Sequence, residues 1–84
     1  MNDVYITSAV RTAVGSFGKA LKNTPAETLG SKVISEAIKN SKIKNEEVDE
    51  VIIGQVLTAG LGQNPARQAA MNSGIPKEKP AYVV

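Results

Sequence analysis

Gln55-Val56-Leu57-Thr58-Ala59-Gly60-Leu61-Gly62-Gln63-Asn64-Pro65-Ala66-Arg67-Gln68-Ala69-Ala70 is the stretch that decides the fold. It begins as the end of an apolar strand, passes two glycines and restarts as a helix at Asn64-Pro65. Asn is a favoured cap because its side-chain oxygen accepts a free backbone N–H of the first turn. Pro suits the next position because its φ is already helical and its missing N–H would have had no partner. Gly60 and Gly62 allow backbone angles or close approaches that a side chain forbids. Such a strand–loop–helix junction is where open α/β sheets build their sites.

Working outward, residues 51–57 (Val-Ile-Ile-Gly-Gln-Val-Leu) supply the strand that enters this junction, with Gly54 suggesting a bulge or close backbone approach. Residues 4–10 (Val-Tyr-Ile-Thr-Ser-Ala-Val) are β-branched and apolar and predict a first strand, covered on both faces. Residues 11–23, with Gly15 and Gly18, predict a long surface loop. Thr24-Pro25-Ala26-Glu27 then predicts a helix start with a capping box. Ala26, Leu29, Gly30, Val33, Ile34, Ala37 and Ile38 follow at helical spacing on one face. Gly30 on that face implies close helix–sheet packing. Residues 40–44 end the helix, Ile43 is expected to plug back into the core, and Glu46-Glu47-Val48 predicts a short helical turn. The second helix runs from Pro65 to Asn72, and Ser73-Gly74 stops it. Ala81-Tyr82-Val83-Val84 begins a third strand, shorter than the usual ~5–6 residues. Residues 1–84 therefore read as a partial domain, cut in or just after that strand. The fold class is α/β, a β-α-β-α-β order with parallel strands and right-handed crossovers.

The composition narrows the chemistry. Among 84 residues, 42% are apolar and 21% charged, which argues for a globular chain and against disorder. The net charge of +2 is spread among acids and gives no reason to expect nucleic-acid binding. There is no cysteine and no histidine, which excludes disulfides, a Cys/His zinc site and the commonest nucleophile–base pairs. No run approaches the ~18 apolar residues of a membrane span, and no signal-peptide pattern opens the chain. A cytoplasmic protein with no membrane contact is expected, without metal or cofactor.

Each sharper motif has a bland competitor. Gly15-Ser16-Phe17-Gly18-Lys19 has two residues, not four, between its glycines and lacks Ser or Thr after the lysine, so it fails as a phosphate loop. Gly60-Leu61-Gly62 has Pro65 where a dinucleotide fingerprint wants a third small residue. The helix start behind it keeps the option of holding an anion. Arg67 is the one charge in its helix; it is either solvated or forks onto loop carbonyls or a partner chain. Glu46, Glu47, Asp49 and Glu50 form a solvated acidic run, since adjacent acids point in different directions. Catalytic and metal-binding residues are both expected to be absent.

Two separated segments, residues 4–19 and 54–68, resemble the opening of thiolases, and the likeness extends over the chain to Pro80-Ala81-Tyr82-Val83-Val84. It leans toward bacterial-type biosynthetic members. The resemblance implies reversible Claisen condensation of two acetyl-CoA to acetoacetyl-CoA, with CoA thioesters as substrates and no other cofactor. In that family two cysteines, a histidine and oxyanion holes do the chemistry. None of these residues occurs here, so the chain alone is expected to be inactive. The family fold implies that Gly60, Gly62, Gln63, Asn64 and Arg67 fix the neighbouring nucleophile loop. It also implies that Tyr82, Val83 and Val84 pair antiparallel with a second subunit in a homodimer or homotetramer. Residues 4–10 and 51–57 should then lie side by side as parallel strands. The rival from another class is a non-catalytic α/β module that binds a partner through its open sheet edge.

Overall fold

The computed structural model describes residues 2–84. Their elements are α1 (Ala26–Ser41), a 3-10 turn (Asn45–Glu47), β1 (Val51–Ile53), α2 (Pro65–Asn72) and β2 (Ala81–Val83). β1 and β2 pair in parallel, with Val51 opposite Ala81 and Ile53 opposite Val83. The ladder extends past both strands through Val51 N–H to Pro80 O (3.0 Å), Val84 N–H to Ile53 O (2.9 Å) and Gln55 N–H to Val84 O (3.0 Å).

α2 is the centre of the packing and touches α1, β1 and β2. Ala66, Ala69 and Ala70 recur at the spacing that shares one helix face, and all three are 0% exposed. Methyl side chains let neighbours approach closely, and α1 does so at Gly30. A Cβ on Gly30 would lie 3.2 Å from Ala69 Cβ and 3.8 Å from Ile53 Cδ1. The close contact expected at Gly30 is therefore made first with a helix and only then with the sheet. Val51, Ala70 and Ile75 form the small core, with Ile34, Ile38, Val48, Ile53, Met71 and Ala81 packed around it.

α2 ends in a Schellman turn. Gly74 takes φ +84°, Gly74 N–H donates to Met71 O (3.1 Å) and Ile75 N–H to Ala70 O (3.1 Å). Asn45 Nδ2 spans from the 3-10 turn to Gly74 O (3.1 Å), so the end of α2 is tied to the segment that leaves α1. The expected short turn at residues 46–48 is present one residue earlier, at Asn45–Glu47.

Several expectations are corrected. Residues 4–10 form no strand, and Val4 and Ile6 are more than 90% exposed. A strand is a property of a pair; β1 pairs only with β2 among the described residues, so the intrinsic preference of 4–10 meets no ladder. The segment instead passes α1, where the Thr7 and Ser41 hydroxyls lie 2.7 Å apart. It is thus not paired beside 51–57. The strand expected over 51–57 is confined to Val51–Ile53, and Val56 and Leu57 are exposed beyond the last ladder bond. Ile52 is also exposed, so β1 is covered on one face only. Gly54 marks no close approach, since nothing stands within 4 Å of the Cβ it lacks. The capping box at α1 does not form: Pro25 is the cap residue and no side chain bonds there. Thr24 N–H donates to Leu21 O (3.0 Å), which commits that residue to the preceding turn. Ile43 is 40% exposed and does not plug the core; Ile75 fills that place.

Candidate functional site

The loop between β1 and α2 is built by carbonyls in need of donors. Thr58 O accepts from Leu61 N–H (3.2 Å), closing a turn whose third residue, Gly60, has φ +79°. A positive φ there is what a type II turn requires and what glycine supplies without strain. Gly62 has φ +77°, and a Cβ on it would stand 3.2 Å from Gln68 Nε2. That room matters because Gln68 Nε2 reaches back from the helix and donates to Leu61 O (2.7 Å) and Gln63 O (2.8 Å).

Asn64 closes the junction from the other side. Its backbone is left-handed (φ 40°), which asparagine tolerates better than most residues. Its Oδ1 accepts from Arg67 N–H (3.0 Å), the cap expected from the sequence, and its Nδ2 donates to Ala81 O (2.9 Å). Arg67 then donates from one guanidinium nitrogen to Lys79 O (3.2 Å). The option of a loop carbonyl is thus the one observed for Arg67, through a single bond.

Gly60, Gly62, Gln63, Asn64 and Arg67 are therefore brought together in one clasp that joins loop, helix start and the entry to β2. Gln68 belongs to it too, through side-chain bonds that the sequence reading did not foresee. Its signal was its place four residues after Asn64, beside a loop whose two glycines leave carbonyls without a helix or strand to serve. Tyr82, Val83 and Val84 lie just downstream in and after β2, with Tyr82 41% and Val84 71% exposed.

The clasp holds by hydrogen bonds and contains no acid, base or nucleophile. It also weakens the case for an anion at the α2 start. Pro65 has no N–H and that of Arg67 is already bonded to Asn64, so the first turn has lost two of its donors. A solvent-open cleft of about 380 Å³ lies between residues 22–27 and Gly60-Leu61. Among the described residues no group of His, Cys, Asp or Glu could hold a metal ion. No helix there is long and apolar enough to cross a membrane.

Residues 4–84 match the thiolase N-terminal domain, and the chain belongs to the thiolase family. It is 55% identical over 84 residues to a Clostridioides difficile protein named acetyl-CoA acetyltransferase, covering all of this chain and 78% of that one. It is 54% identical over 79 residues to the cytosolic acetyl-CoA acetyltransferase of Rattus norvegicus, covering 94% of this chain and 20% of the rat protein. The crystal structure of Acat5 thiolase from Ascaris suum in complex with coenzyme A superposes with a TM-score of 0.93 at 46% identity. That match covers 95% of this chain and 21% of the other. The chain thus spans about a fifth of the rat and Ascaris proteins it matches. The α/β fold is thiolase-like even though residues 4–10 are unpaired.

Proposed function

We propose that these residues form the N-terminal part of an acetyl-CoA C-acetyltransferase. The complete enzyme would join two acetyl-CoA into acetoacetyl-CoA and CoA, reversibly, in the cytoplasm. The observation that carries this is identity above one half to proteins of that name across nearly the whole chain. The cysteines and histidine of the reaction would come from sequence other than these 84 residues, which contain neither. The contribution of this segment is positional. The clasp of Asn64, Arg67 and Gln68 holds the loop and the entry to β2 at fixed distances from one helix, as rigid support for a reactive group requires.

A chimera tests this. These residues replace the matched N-terminal residues of the rat cytosolic enzyme, and thiolysis of acetoacetyl-CoA is measured. The expected result is retained activity, while the 84-residue chain alone, confirmed by intact mass, cleaves nothing. A folded but inactive chimera, or turnover by the isolated chain, would count against the proposal. In the active chimera, Arg67→Ala removes the bond to Lys79 O and is expected to lower stability by about 1 kcal/mol. The Michaelis constant for CoA should stay within about twofold, because uniform substrate binding has not been touched. A selective rise in that constant at unchanged stability would place Arg67 at the substrate instead.

The sheet edge favours assembly. Pro80 and Val84 bond toward β1, and ladder alternation turns the backbone groups of Val83 to the open side. An unpaired N–H and C=O beside exposed Tyr82 and Val84 invite an added strand. In this proposal Tyr82, Val83 and Val84 pair with the same strand of a second subunit, giving a homodimer or homotetramer. The same edge supports the non-catalytic alternative, a module that pairs without chemistry. Activity of the chimera separates the two.

A further inference from the structure

The open side of β2 has two outward carbonyls, those of Ala81 and Val83, and they are not equivalent. Ala81 O already has a donor, Asn64 Nδ2 at 2.9 Å. The assignment of that amide follows from its other contact. Asn64 Oδ1 accepts from Arg67 N–H at 3.0 Å, so the nitrogen must be the atom that faces Ala81 O; the flipped amide would set acceptor against acceptor and donor against donor. One side chain therefore caps α2 and stands where the backbone N–H of an incoming strand would stand.

We infer that Asn64 is an edge guard: it closes β2 to strand addition at Ala81, so that an added strand can begin only at Val83. This rests on the edge pairing proposed above and says what limits it. Natural sheets restrict exposed edges by covering or occupying their hydrogen-bonding groups. Here the occupying group is borrowed from the helix cap, so the edge is guarded only while α2 is formed. A chain with α2 frayed would offer both carbonyls at once.

Asn64→Asp separates the two roles. Aspartate keeps an oxygen for the Arg67 N–H and is as good a cap as asparagine, but it has no proton to give Ala81 O. Circular dichroism should show the helix content of the parent. Sedimentation velocity should show self-association at a several-fold lower concentration. In the parent, NMR should show the Asn64 side-chain amide protons exchanging with solvent several-fold more slowly than those of exposed Asn72. Equal exchange at Asn64 and Asn72 overturns the guard without any variant. A parent that self-associates, with a helical Asn64→Asp that associates no more strongly, overturns the guard alone. Parent and variant both monomeric at every concentration overturn the edge pairing and the guard together. Should Asn64→Asp fail to fold, Asn64→Ser, which caps but is too short to reach Ala81 O, is read in the same way.

Discussion

Ala69→Leu is expected to lower stability by about 3 kcal/mol, at the upper end of what overpacking costs. Ala69 has no exposed surface, and its methyl group faces a glycine whose missing Cβ would already stand 3.2 Å away. Three further carbons have nowhere to go unless α1 moves off α2. Moving α1 loosens Ile34 and Ile38 from the core that holds Ala70. The gain in helix propensity is no help, because Leu and Ala differ little on that scale. A domain of this length is stable by only about 4–12 kcal/mol at ordinary values per residue, and this core has few large side chains. Urea unfolding of Ala69→Leu should show a midpoint far below the parent. Asn72→Leu puts the same side chain on an exposed site of the same helix and should stay within about 0.5 kcal/mol. A midpoint for Ala69→Leu near that of Asn72→Leu would show that α1 and α2 are not in close contact.

What was legible in the sequence was what local chemistry decides. Asn64-Pro65 specified the start of α2 because a cap and a proline act on their own first turn. Ser73-Gly74 specified its end because the left-handed residue acts within five positions. The three alanines announced a close neighbour, although not which one. Illegible features depended on a partner that the local pattern does not name. Residues 4–10 carry strand chemistry, but a ladder needs a second strand, and propensity cannot supply it. Thr24 has the right side chain for a cap and lost it to a competing turn at Leu21. Gln68 read as one more polar residue on a short helix, since its carbonyl targets become needy only once Gly60 and Gly62 have bent the loop. Arg67 could be seen to want acceptors, but Lys79 O becomes one only after β2 has docked. The family resemblance reached further than the physical rules because it carries such distant pairings with it. For the same reason it expected a paired strand over residues 4–10 that this chain does not form.

Ile75→Ala is the second large effect, about 2–5 kcal/mol by the usual cost of truncating a buried isoleucine. Ile75 is 3% exposed and is the largest side chain among the buried apolar residues of the described chain. Its position follows from the Schellman turn. Gly74 at φ +84° swings the chain back, and the residue after it is set over Ala70, one turn up the helix. There Ile75 meets Val51 of β1, while Ile34 and Ile38 of α1 pack against the same cluster. One side chain thus closes the space where both helices and the sheet converge, and alanine would leave a void that none of the three can fill without leaving the others. The turn itself should survive, because the Ile75 N–H to Ala70 O bond is made by the backbone. Far-ultraviolet circular dichroism at low temperature should therefore be unchanged while the urea midpoint falls. Ile75→Val removes a single carbon and should cost about 0.5–1.5 kcal/mol, so the pair grades packing at constant turn geometry. Gly74→Ala tests the other half. It strains a positive φ and brings its methyl carbon to 2.8 Å from Asn45 Nδ2, yet leaves the isoleucine in place. If Ile75→Ala and Ile75→Val cost the same, the side chain is not what joins the three elements. The stability would then reside in the turn and in the Asn45 bond that spans from the 3-10 turn.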